Sequence, residues 1–280
     1  MLRAFLPRVL RRAPALLGLL AVAAGCNLSK DLDVDLPAVP SLLVTECYLL
    51  PGQVPRLTVT ETVPYLSSPQ PAVPLDVTVT LTLPNGQQER LLFKPGQDTL
   101  THKYYTHTGQ QPLVARPGDT FRLDVQDTQG RHVTATATMP AAIPLDSVTW
   151  KFNDKTGEQR KAYLLTKFQD PAETADFYRL LIHKDSISQD SERDFTIDDR
   201  LTNGQLVTLG TSYRFSPGDT LLITLYHIDQ PYYYFLQSVN DARNANGNPF
   251  AQPAAIRSTV QGGVGVFTIL SEDRRRVILK

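Results

Sequence analysis

Between Leu75 and Phe93 the chain reads LDVTVTLTLPNGQQERLLF, and this stretch restricts the fold more than any other. Val77, Val79, Leu81 and Leu83 occupy every second position with threonines between them, the period of a strand that buries one face. Thr and Val favour extended backbone, where their branched side chains pack well. Asn85-Gly86 then supplies two residues that tolerate positive φ, as a tight hairpin turn requires, and a second strand follows.

Similar runs at Leu42 to Leu49, Arg56 to Thr62, Thr99 to Thr106, Thr120 to Gln126 and His132 to Thr138 read as further strands. About seven strands in roughly 100 residues, with turns every ~8–12 positions, predict a β-sandwich of immunoglobulin type over residues 41–142. Pro140 and Pro144 bracket small residues in MPAAIPLDS and mark a domain boundary, so residues 143–280 form a second domain. Its first strands are Ser147 to Phe152, Lys161 to Phe168 and Phe177 to His183.

DQPYYYFLQSVNDARNANGNPF interrupts this pattern. Tyr232, Phe235, Leu236 and Val239 share one helical face behind Pro231, and Asn246-Gly247 offers a stop, which predicts a helix near 231–245. Tyr233 and Tyr234 lie off the stripe and read as a partly buried tyrosine belt rather than a ligand platform. RPGDTFRLDV from Arg116 and SPGDTLLITL from Ser216 echo one another, with Pro-Gly suited to the centre of a type II turn. The echo reads either as a common turn entering a strand or as two related β domains. The expected fold class is mainly β: an N-terminal immunoglobulin-like sandwich, then a second β-rich domain carrying one α-helix.

At the N-terminus Arg3, Arg8, Arg11 and Arg12 precede an apolar run from Ala13 to Ala24, the order of an export signal over residues 1–25. The run reaches about 18 Å, too short to cross ~30 Å of hydrocarbon. Ala-Ala-Gly directly ahead of Cys26 resembles a bacterial lipobox, which implies that Cys26 becomes an acylated mature N-terminus. Each buried methylene of such a chain contributes ~0.8 kcal/mol to membrane attachment. Residues 26–40 then act as a lipidated tether. Within it Asp31, Asp33 and Asp35 alternate with Leu32, Val34 and Leu36. They read as a solvated tether or short edge strand, or, by resemblance, as a surface-export signal of Bacteroidota lipoproteins.

Loss of the signal removes four arginines, so 24 basic residues remain against 28 acidic, four net negative charges. Nucleic acid is thereby disfavoured as a partner, since phosphates demand an excess of Lys and Arg. With Cys26 acylated, Cys47 has no intramolecular partner, and in SLLVTECYLL it reads as a small buried hydrophobe.

No G-x-S-x-G, H-E-x-x-H or G-x-x-x-x-G-K-[ST] occurs in the sequence. His102 and His107 fall on opposite faces of one predicted strand and share no metal by local spacing. Asp198 and Asp199 in TIDDRLTNG lack the EF-hand spacing and read as a solvated turn. The expectation is a protein without catalytic residues, metal or cofactor.

Several segments resemble the Bacteroidota outer-membrane lipoproteins grouped as domain of unknown function 4249. They are LLVTECYLLPG with VPYL, DPAETADFYRLLI, IDDRLTNGQ and above all NPFAQPAAIRSTVQGGVGVF. The last places Asn248, Pro249, Phe250, Pro253, Gly262, Gly263, Gly265 and Phe267 in family-like order, and the glycines are expected to permit close backbone approach or a bulge. The chain departs from the pattern at Cys47, where a glycine is expected, and at Asp176-Phe177, where Asn-Tyr is expected. The resemblance implies a lipid-anchored outer-membrane protein, at the cell surface or on the periplasmic face, that assists a TonB-dependent receptor in nutrient capture. The bound solute is unknown, and a surface hydrolase of glycan or peptide and an adhesion or envelope-assembly module stand as alternatives.

Overall fold

A computed structural model describes residues 40–64, 70, 72–245, 252 and 254–280. Cys26, Asn248, Pro249, Phe250 and Pro253 lie outside the described residues, as do the signal segment, most of the tether and the helix stop at Asn246-Gly247.

The first sandwich comprises β1 (Leu43–Leu49), β2 (Arg56–Glu61), β3 (Thr78–Thr82), β4 (Gln88–Gln97), β5 (Tyr104–Thr108), β6 (Thr120–Gln126) and β7 (His132–Thr138). One layer runs β1-β2-β5-β4 and the other β4-β3-β6-β7. Strand β4 serves both, since Gln88–Leu91 pair with β3 and Leu92–Gln97 with β5, with a register shift between Phe93 and Gly96. Order 1-2-5-4 against 3-6-7 is the constant-type immunoglobulin arrangement. The alternation read from the sequence sets the core: Leu43, Cys47, Leu49, Leu57 and Val59 meet Val79, Leu81, Phe121, Leu123 and Val125.

Strand β5 begins at Tyr104 rather than at Thr99. Asp98 is the cause: its Oδ1 accepts the N–H groups of Leu100 and Thr101, folding the segment into a turn before the strand starts. His102 sits in that turn at φ 57° and not on one strand with His107, which is buried in β5.

The second sandwich comprises β8 (Ser147–Phe152), β9 (Ala162–Gln169), β10 (Phe177–Lys184), β11 (Arg193–Asp198), β12 (Leu206–Gly210), β13 (Thr220–Ile228) and β15 (Ser271–Ile278). Its layers are β12-β9-β8 and β11-β10-β13-β15. Counted from its own first strand the order is 1-2-5 against 4-3-6-7, so it repeats the first sandwich except that the fourth strand stays with the third. The two Pro-Gly-Asp-Thr turns enter β6 and β13, the sixth strand of each repeat. Their common position supports the reading of the echo as two related domains.

Between β13 and β15 the chain makes a long excursion through helix α1 (Gln230–Ala245) and strand β14 (Val264–Ile269). The N–H of Tyr232 donates to Asp229 Oδ1 at 3.0 Å, an N-cap that starts the helix. Tyr232 and Tyr233 are both buried, so Tyr233 belongs to the packed face, while Tyr234 is the exposed one. Strand β14 lies parallel to β1, pairing Val44 with Val264 through Leu49 with Ile269. The division expected at 142/143 thus assigns these residues to the wrong sheet. Burying Phe267 and Ile269 in the first core contributes ~1.5–3 kcal/mol each. Each doubling of a loop costs only about 0.6 kcal/mol, so the excursion is affordable.

Candidate functional site

Outward-facing residues of the two sandwiches converge on one cleft of about 850 Å³. Alternation in β1 sends Leu43, Cys47 and Leu49 inward and Glu46 and Tyr48 outward. In β10, Tyr178, Leu180 and Ile182 point to the core, and Arg179, Leu181 and His183 to the cleft. Tyr226 on β13 stands beside Arg179 in register, and α1 adds Tyr232 and Arg243. Sheet faces that would ordinarily meet water instead face each other, held by the apolar contacts of Tyr232, Tyr233, Val266 and Leu270 with Tyr48, Leu50 and Phe177.

The charges in the cleft are matched. Arg56, Lys103, Arg179 and Arg243 stand against Glu46, Asp98, Asp190 and Asp194. Arg179 grips Asp194 through two bonds, of 2.7 and 3.1 Å, and donates a third at 2.9 Å to the Tyr232 hydroxyl. Arg56 pairs with Asp98 and its guanidinium lies 5.0 Å from the Tyr105 ring centre. Lys103 Nζ lies 3.7 Å from Glu46 and 4.5 Å above the Tyr48 ring. Burial, helped by the charges of Arg274 and Arg179, pushes the His183 imidazole below its usual range, so the ring is neutral at pH 7. Its Nδ1 has no hydrogen-bond partner among the described residues.

A second cluster closes one end of the second sandwich. Asp170, Asp176 and Asp199, all buried, each bring an oxygen to within 4.8 Å of the others. Among the described residues, these are by proximity the ones able to hold a hard cation, which takes carboxylate oxygens. The protein itself supplies donors: Tyr178 hydroxyl and Gly204 N–H to Asp170, Thr174 hydroxyl and His227 to Asp176, and Asp176 N–H to Asp199. His227 also reaches the Ala141 carbonyl at 2.7 Å, tying the knot to the segment between the sandwiches. Asp199 is therefore not in a solvated turn as its sequence context predicts. Asp198 stays half-buried, accepting from Arg200 and the Tyr233 hydroxyl.

The glycines of the GGVGVF segment have a different task. A Cβ on Gly262 would overlap the His132 carbonyl, one on Gly265 the Thr45 carbonyl, and one on Gly263 both Leu43 and Val133. Together with the bridge between Thr134 and Gln261, they wedge β14 between β1 and β7 and close the open edge of the first sandwich. Phe267 points into the core beside Cys47. The Cys47 thiol is buried and pushed up to about 12 by that burial and by Glu46, so it is inert as a nucleophile.

Sequence reasoning missed the cleft because its residues occupy positions that alternation assigns to solvent. A signal was present in FYRLLIHK, where Phe177 and Leu181 make the outward row apolar too, the mark of a strand covered on both faces. Among the described residues no helix is long and apolar enough to cross a membrane. No curated protein matches the chain. The family model described as Domain of unknown function (DUF4249) matches residues 29–276.

Proposed function

The chain belongs to the family described as domain of unknown function 4249, and from that premise we propose a non-enzymatic lipoprotein of the outer membrane that captures a solute for a TonB-dependent transporter. Acyl chains on Cys26 hold it at the membrane, and the inter-sandwich cleft receives the solute. The observation that carries this reading is the cleft, a concave site with tyrosine walls and paired polar groups, within the ~300–1,000 Å³ of small-molecule sites. Confinement to the transporter's membrane raises effective concentration without tight binding.

A surface hydrolase needs two carboxylates free to act as acid and base or nucleophile. Glu46, Asp98 and Asp194 each lie against a cation instead, which favours binding over chemistry. An adhesion module would present a broad apolar patch, whereas the most exposed apolar side chains, Leu75, Val114 and Leu201, belong to separate loops.

The test is gentle detergent extraction of the tagged full-length chain, followed by mass spectrometry of the N-terminus and of co-purifying proteins. An acylated Cys26 and an enriched outer-membrane transporter are expected, with Cys26→Ser releasing the protein from membranes. An unmodified Cys26, or repeated recovery without any transporter, overturns the reading.

A further inference from the structure

We propose that the cleft takes a neutral oligosaccharide, with sugar rings laid against tyrosine faces and hydroxyls held by ion pairs already formed within the site. The inference rests on the cleft being the capture site.

Charge comes first. Arg56–Asp98, Lys103–Glu46 and Arg179–Asp194 neutralise one another in the cleft, and Arg243 and Asp190 balance in number, so the lining offers an ionic ligand no net charge. A hydroxyl both donates and accepts, and each carboxylate retains lone pairs beyond those its cation uses. Sugar hydroxyls therefore add to these pairs without replacing either member. The neutral ring of His183, with Nδ1 unpartnered and the residue 7% exposed, adds a site that either gives or takes a hydrogen bond.

The aromatic groups point the same way. Tyr104 stands among the lining residues at 77% exposure, so its ring is open to a ligand. A pyranose has an apolar C–H face and a polar rim, and tyrosine likewise joins an apolar ring to a hydroxyl. Tyr48 meets Tyr232 edge-to-face at 5.8 Å between ring centres and carries the ammonium of Lys103 over its ring, and the Lys103–Glu46 pair is exposed enough to move aside.

Backbone geometry disfavours an extended peptide. Most of the wall is made of faces of interior strands, β1 between β14 and β2, and β10 and β13 in the middle of their sheet, the edge strand β11 adding only Asp194. Their N–H and C=O groups are committed to neighbouring strands, which leaves no edge there for strand addition. Recognition falls to side chains, and a volume near the top of the small-ligand range suits an oligomer better than a single sugar.

Isothermal titration of the detergent-extracted full-length protein tests this with maltoheptaose, xylohexaose, cellohexaose and mannohexaose, beside polygalacturonate and an acidic peptide as charged probes. At least one neutral sugar should bind, with affinity changing less than about twofold between roughly 0.05 and 0.5 M NaCl. Tyr104→Ala should weaken it about tenfold or more at an unchanged Tm. The proposal is overturned if every neutral sugar fails, if only a charged probe binds and salt abolishes it, or if Tyr104→Ala leaves affinity intact. A transporter recovered without sugar binding sinks the ligand class alone, and sugar binding without a transporter sinks the transporter reading alone.

Discussion

Asp119 and Asp219, a hundred residues apart, anchor turns held by the same four bonds. Each carboxylate accepts the N–H three residues earlier, of Arg116 or Ser216, at 2.8 Å, and each N–H returns to that residue's carbonyl. Gly118 and Gly218 donate to the carbonyls of Met139 and Leu279, whose own N–H groups donate to the carbonyls of Asp119 and Asp219. Both glycines hold a left-handed backbone, φ 88° and 87°. The turn fastens the sixth strand to the end of the seventh in both sandwiches.

Asp119→Ala should cost about 1 kcal/mol, the worth of one capping hydrogen bond, and Asp219→Ala at least as much, since it also breaks the 2.8 Å pair with Lys184. Urea midpoints measure the loss, and hydrogen exchange should place it at the Met139 amide in one variant and the Leu279 amide in the other.

Gly265→Ala should be far more severe, because the added methyl meets the Thr45 backbone, which cannot yield, at φ 135°. A loss of about 3 kcal/mol or more is expected, read as a lowered Tm or an absent folded fraction. Gly86→Ala, with open space around it, should lose only the roughly 1 kcal/mol of a strained turn.

Acidification should destabilise the protein through His107 and His183. Burial lowers the pKa of both, joined at His183 by the charges of Arg274 and Arg179. The unfolded chain therefore binds protons that the folded chain refuses. Their stabilising contribution is complete above the unfolded value of about 6.5 and is lost as pH falls from there toward the depressed folded values. Urea titrations from about pH 7.5 to 5 should show this slope, and it should flatten in His107→Gln and His183→Gln.

Tyr232→Phe removes the hydroxyl that receives Arg179 and should cost about 1–2 kcal/mol, since the bond is charge-assisted. A double-mutant cycle with Arg179→Ala should return a coupling of similar size, while Tyr234→Phe, on the exposed side of α1, should be neutral.

Cys47 should resist thiol reagents at neutral pH until the protein is unfolded, its thiol lying fully inside the first core. Rapid labelling of native Cys26→Ser protein would refute the packing around β1 and β14.

Strands Thr120–Gln126, His132–Thr138 and Ser147–Phe152 were readable to the residue, because alternation and the turns that bound them are local information. The start of β5 was not, since the Asp98 side chain competes with the strand for the same backbone. Nothing local joins Asp170 to Asp199, which come from different loops, and nothing in GGVGVF names β1 as its partner. Parallel pairing across most of the chain is a property of the assembled core.

The placement of β14 governs biosynthesis as well as shape. A ribosome must deliver residue 269 before the sheet begun at residue 43 has its outer strand, so the front half cannot finish maturing while the rear half is still being made. Vectorial, one-module-at-a-time maturation is closed to this polypeptide, whose first sandwich gains its last strand only when nearly all of the sequence has arrived.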